Sequence, residues 1–215
     1  MEERNSNLKA SLGNFLRNAW DLWILQLLWI LCSLPVLTMG PATSALLSVT
    51  LKLAREESVS PVREFFTAFK TNFKQALVLG LIALAGVVIA YSDIVYALAQ
   101  EGNEKKLFLI VAGIVIALWL IFTSFSFPLQ ARYDNTIKMH IRNSFLAAFC
   151  APWKTITIWV IYAVPVAMIL LAYEVSIYIG WIFIFYGMSL PAYINSKTLR
   201  TIFDKMTGGS DHDKK

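Results

Sequence analysis

Five stretches of this chain run without a charged residue: 22–51, 75–92, 107–131, 155–173 and 175–196, which are 30, 18, 25, 19 and 22 residues long. An α-helix rises 1.5 Å per residue, so about 20 apolar residues cross a hydrocarbon core of about 30 Å. The first run is too long for one crossing, and Pro35, Gly40 and Pro41 interrupt it, residues that break or kink a regular helix. It reads as a hairpin, 16–36 and 41–56, whose second arm is short enough that Lys52 and Arg55 would snorkel to the surface. The other spans fall at 74–99, 106–131, 153–173 and 175–199. The expected fold is an all-α membrane protein of six transmembrane helices. Residues 1–205 form one polytopic domain and 206–215 a flexible cytoplasmic tail. Composition agrees: 57% of residues are apolar and 15% charged, against about 25% charged in soluble domains. With 2 Cys and 10 Gly, disulfide-scaffold and collagen classes are excluded.

Charge sets the orientation. On the six-span reading, seventeen Lys and Arg lie on one side and only Lys105 and Lys106 on the other. The positive-inside rule then places both termini in the cytoplasm. The basic excess reports topology and contact with anionic lipid, and no nucleic-acid partner is expected. Trp20, Trp23, Tyr133 and Trp153 suit an inner interfacial belt, and Tyr91, Tyr96, Tyr173 and Tyr178 an outer one.

Two segments match at an offset of 80 residues. Phe65-Phe66-Thr67-Ala68-Phe69 aligns with Phe145-Leu146-Ala147-Ala148-Phe149, and Phe73-Lys74 with Trp153-Lys154. The match suggests three repeated helical hairpins, each preceded by an interfacial amphipathic helix. Segment 61–74 is the clearest such helix. At 100° per residue Val62, Phe65, Phe66, Phe69 and Phe73 share one arc, with Arg63, Lys70 and Lys74 beside it. Ser60 suits its cap and Pro61 its first position. This face (Arg63, Phe65, Phe66, Phe69, Lys70, Phe73, Lys74) is the candidate contact with a protein partner or with lipid. Segment 137–150 has a weaker counterpart in Ile137, Ile141, Phe145, Ala148 and Phe149.

Catalytic constellations are absent. There is no P-loop, GxGxxG, HExxH or GxSxG; Cys32 and Cys150 have no CxxC partner; His140 and His212 lie far apart. No metal, cofactor or enzymatic activity is expected. Polar side chains inside the spans either knit the bundle together or line a small path. Gln26, Ser44, Ser48, Ser124 and Gln130, with Asp93 and Glu174 near the outer edge, are the candidate path. Gly80 and Gly86 would allow close helix packing, while Pro128, Pro165 and Pro191 would kink spans four to six.

Three motifs resemble one known family. They are Leu34-Pro35-Val36-Leu37-Thr38-Met39-Gly40-Pro41-Ala42-Thr43-Ser44-Ala45, then Phe65-Phe66…Phe69-Lys70-Thr71-Asn72-Phe73-Lys74-Gln75, and Phe127-Pro128-Leu129-Gln130-Ala131-Arg132-Tyr133-Asp134-Asn135-Thr136. Together they resemble the YesL family over residues 5–205, with Pro35, Gly40, Pro41, Thr43, Pro128, Gln130, Arg132 and Asn135 as signature positions. That family comprises small integral membrane proteins of unknown function, mainly from Gram-positive bacteria and encoded beside carbohydrate ABC importers. The resemblance implies a multi-pass plasma-membrane protein that assists or senses carbohydrate uptake, with importer subunits or a sensor kinase as partners. A small-solute or sugar transporter is the alternative. The resemblance supplies no catalytic residue.

Overall fold

The computed structural model describes residues 2–171 and 184–206, and every regular element among them is helical. Helix α1 covers Glu2–Ser33, a 3-10 turn covers Val36–Thr38, and α2 covers Met39–Leu53. Helices α3 (Pro61–Leu98) and α4 (Gly102–Arg132) follow, then α5 (Ile137–Cys150), α6 (Pro152–Leu171) and α7 (Ser189–Met206). The tip between α1 and α2 is closed by the Thr38 hydroxyl, which donates to the carbonyls of Cys32 (2.6 Å) and Pro35 (2.8 Å). Gly102, at φ +63°, turns α3 into α4 in a conformation that glycine adopts without strain.

Short α2 is the hub. Eleven of its fifteen residues are buried. One apolar cluster joins it to α1, α3, α4 and α7 through Leu25, Leu46, Val49, Phe65, Leu79 and Ala192. A second, around Phe125, Leu129, Ile158, Leu199 and Phe203, joins it through Leu51 to α4, α5, α6 and α7. At Gly40 the backbone of α2 rests on that of α3. An added Cβ would overlap the Ala76 carbonyl oxygen and lie 2.9 Å from the Gly80 Cα. Gly86 gives Trp119 its seat, and the Trp119 indole N–H donates to the Ala83 carbonyl at 2.7 Å. Both glycines of span three are therefore packing sites, against α2 and α4 respectively.

Three stretches are long and apolar enough to cross a membrane: Val36–Leu53, Pro61–Leu98 and Gly102–Arg132. Helix α5 and the start of α6 pass together as a pair bent by 104°, making up to four. The coarse expectation of an all-helical chain with membrane-spanning helices is met; three to four of the six expected spans are found among the described residues. Residues 172–183, with Glu174 and the expected start of the sixth span, lie outside the described residues.

Three expectations are corrected. Segment 61–74 is not a separate interfacial helix but the first part of α3, whose 38 residues run unbroken for about 57 Å at 1.5 Å per residue. Its counterpart does bend, at Ala151 (φ −145°, ψ 64°). The reason lies in one aligned position: Pro152 stands where the first copy has Asn72. Proline drives its preceding residue out of the helical region, and asparagine does not. The two copies therefore share sequence without sharing form. Thirdly, the expected span 175–199 is interrupted by a turn at Gly187–Met188. Pro191 then sits in the first turn of α7, where its missing N–H costs nothing, instead of kinking a continuous helix.

Candidate functional site

The break before α7 leaves its N-terminal amides inside the protein, and one side chain meets them. The Gln26 Oε1 accepts from the backbone N–H of both Met188 and Ser189 at 2.9 Å. Gln26 is 2% exposed and lies midway along 16–36. A helix start at that depth has no water to satisfy it; the glutamine replaces that water. Sequence reading placed Gln26 among polar residues of the interior but could not find its partners, 162 and 163 residues away.

Ser48, Ser124 and the side-chain amide of Gln130 are likewise engaged with neighbouring helices. Ser48 donates to the Ala131 carbonyl at 3.1 Å, and Ser124 accepts the Trp159 indole N–H at 3.0 Å. Thr43 accepts from Trp29 at 3.1 Å. The buried hydroxyl pairs Ser126–Ser144 (2.9 Å) and Ser196–Thr50 (3.1 Å) tie α4 to α5 and α7 to α2. Among the described residues, the Ser44 hydroxyl and the Gln130 Oε1 are buried without a hydrogen-bond partner. Asp93 is not brought to this group: it lies 21 residues beyond Asn72 on α3, about 32 Å along the helix axis.

Two of the three sequence motifs meet. The Gln130 amide donates to the Asn72 carbonyl (3.3 Å), and the Gln75 amide donates to the Asn135 carbonyl (3.1 Å). Together they lock the middle of α3 to the corner between α4 and α5. Thr136 caps α5 there by accepting from the Met139 N–H at 3.4 Å. The Arg132 guanidinium lies 5.4 Å from the ring centres of both Tyr133 and Phe203, a distance at which a cation gains from ring quadrupoles. His140, fully buried under this corner, is held below its usual 6.5 by burial. The backbone carbonyl of Asn135, as an acceptor for the imidazole, and the charge of Asp134 oppose that shift in part.

The candidate contact face on 61–74 divides in two. Phe65 is fully buried in the chain's own core, its ring stacked on Phe69 at 6.2 Å, with Phe69 against Phe73 at 5.4 Å. Phe65 thus cannot face a partner, while Phe69 and Phe73 are half-buried and Val62 and Phe66 are exposed. Arg63, Phe66, Lys70 and Lys74 remain exposed. Lys52 does not simply snorkel: its ammonium pairs with Glu64 of α3 at 2.7 Å.

Near the N-terminal side of this assembly a cleft of about 340 Å³ is lined by Asn18, Asp21, Leu53, Glu56, Glu57, Ser58, Val59 and Tyr193. Glu56 adopts φ +62° there. The cleft is acidic, but among the described residues no three His, Cys, Asp or Glu lie close enough to hold a metal.

Helices α2, α3 and α4, tied by hydrogen bonds between buried polar groups, define an all-helical membrane protein. Comparison with known proteins narrows that class. Residues 22–94 match a family described as "Protein of unknown function, DUF624". The "Uncharacterized protein YesL" of Bacillus subtilis (strain 168) is 27% identical over 151 residues, covering 65% of this chain and 69% of that protein. By these two matches the chain is similar to the YesL family over part of its length. No solved structure matches it.

Proposed function

We propose that this chain is a plasma-membrane accessory protein that assists or regulates a carbohydrate ABC importer, rather than a conduit or an enzyme. The supporting observation is how its interior polar groups are used. Gln26, Ser48 and Ser124 each bond a neighbouring helix, which rigidifies a scaffold and closes a path. Satisfied buried polar networks hold one arrangement. The link to carbohydrate uptake rests on the family resemblance. In this reading the chain crosses the membrane six times with both ends cytoplasmic. In it α7 is the inner half of a broken sixth span. The repeat is one of sequence, since its copies have diverged at Asn72 and Pro152.

Purification in mild detergent after crosslinking tests the proposal. Importer subunits or a sensor kinase are expected to co-purify, and recovery of the chain without them would overturn it. The unpartnered Ser44 hydroxyl and Gln130 carbonyl favour a second reading, a small sugar transporter. Flux of a mono- or oligosaccharide in vesicles holding this chain alone would establish that reading instead.

A further inference from the structure

Helix α5 has two faces of opposite character. His140, Ser144, Ala147 and Ala148 are buried where α5 packs on α4 and α7. The outward face carries Met139, Leu146 and Phe149, which are 43%, 48% and 77% exposed, and Trp153 in the first turn of α6 is 81% exposed. Lys138 and Arg142 are exposed on the same side. At 100° per residue, Leu146 lies about 20° from Met139, Arg142 about 60° and Phe149 about 80°. Lys138 lies about 20° beyond Phe149, so Met139 and Leu146 hold one side of the stripe, Phe149 stands between Arg142 and Lys138 on the other, and α5 contains no Asp or Glu. It is not the stripe that sequence periodicity picks out, because Ala148 of that set faces inward.

Such a face suits neither water nor hydrocarbon. Water would leave four large apolar side chains wetted. The hydrocarbon core would strand Lys138 and Arg142, at about 2.5–3.5 kcal/mol each on insertion scales. The boundary between headgroups and acyl chains accommodates both. Orientation agrees. The 104° bend between α5 and α6 lays α5 about 14° from the membrane plane when α6 stands along the normal.

We infer that the outer face of α5 is a seat for anionic phospholipid. Lys138 and Arg142 meet the headgroup phosphates, and Met139, Leu146, Phe149 and Trp153 enter the acyl boundary. The site is independent of any importer. It adds a lipid-contacting face on 137–150 to the candidate face on 61–74, of which Phe65 is buried.

The test uses the full chain in nanodiscs of phosphatidylcholine alone or mixed with phosphatidylglycerol. A Cys32→Ser background leaves the exposed Cys150 for an environment-sensitive fluorophore at the end of α5. Quenching by lipids brominated near the headgroup is expected, with little quenching by aqueous iodide. Each basic side chain near an anionic surface contributes about 1 kcal/mol, or about fivefold. Native mass spectrometry should therefore show a phosphatidylglycerol preference that falls roughly 25-fold in Lys138→Gln/Arg142→Gln. The Lys70→Gln/Lys74→Gln variant should keep that preference and serves as a folding-matched control. An unchanged preference in the α5 variant, or a Cys150 probe quenched mainly by iodide, would overturn the inference. The iodide result would indicate a water-facing, protein-docking surface.

Discussion

Replacing Gln26 by methionine keeps the length and flexibility of the side chain while removing its oxygen. In the wild type that oxygen accepts from the Met188 and Ser189 amides at 2.9 Å each. A buried donor left without an acceptor costs about 1–3 kcal/mol, so two cost about 2–6 kcal/mol. Hydrogen bonds between membrane helices average a smaller worth, about 0.6 kcal/mol with a maximum near 1.7, because the unfolded chain in lipid finds other partners. Helix-terminal amides have fewer alternatives, so about 2 kcal/mol is the expected floor. For a chain of this size 1 kcal/mol moves Tm by roughly 2–4 °C. Gln26→Met should therefore melt at least about 4 °C lower in detergent. Hydrogen exchange at residues 188–190 should quicken while that of α2 does not. Gln26→Glu keeps an oxygen in place and should lose less. A Gln26→Met protein that melts within about 1 °C of wild type, with unchanged exchange at 188–190, would refute the assignment of this side chain as the cap of α7.

Gly40→Ala forces a Cβ onto the α3 backbone at Ala76. Overpacking of this kind costs about 1–3 kcal/mol, read as a lower unfolding midpoint, whereas Gly113→Ala, with open space around its Cβ, should be neutral or slightly stabilising. Pro152→Ala should let α5 and α6 straighten, lengthening the distance between spin labels at residues 142 and 160; an unchanged distance would mean that packing alone makes the bend. Burial lowers the pKa of His140 below 6.5, so the unfolded chain takes up this proton at higher pH than the folded one. Its contribution to stability is full above about 6.5 and is lost as pH falls from there through the lowered folded value. His140→Gln should flatten that part of a stability profile measured from pH 7.5 down to 5. Finally, Ser126→Ala and Ser144→Ala should be non-additive by roughly 0.5–1.5 kcal/mol in a double-mutant cycle, reflecting their shared hydrogen bond.

What could be seen in the sequence was what depends on neighbours along the chain. Pro35, Gly40 and Pro41 mark the α1–α2 tip, because helix breaking is a local property. Charge-free runs place α3 and α4 for the same reason. The break at 187–188 had a local signal too, in Gly187 followed by Ser189 and Pro191, but an apolar run of 22 residues masked it. The unbroken α3 and the bent α5–α6 pair differ at one aligned position, Asn72 against Pro152. Periodicity weighs every residue alike and so missed the one that mattered. Gln26 was invisible as a cap because its partners lie 162 and 163 residues away. The inward turn of Phe65 was hidden because an amphipathic arc has the same angular pattern whether it faces lipid or protein.

The unbroken course of α3 has a mechanical meaning. Hydrogen bonds along a helix resist bending, and between Pro61 and Leu98 there is no proline or chain break to act as a hinge. A rod of about 57 Å tilting through 10° about its middle carries each end about 5 Å. Its pivot is already marked, since Gly40 clamps it at Ala76 and Gly80. Were α3 to tilt as a rigid rod about that clamp, the Ala99–Glu101 loop and the Arg63–Lys70 surface would swing in opposite directions. The longest helix among the described residues is thus held near its middle by a glycine.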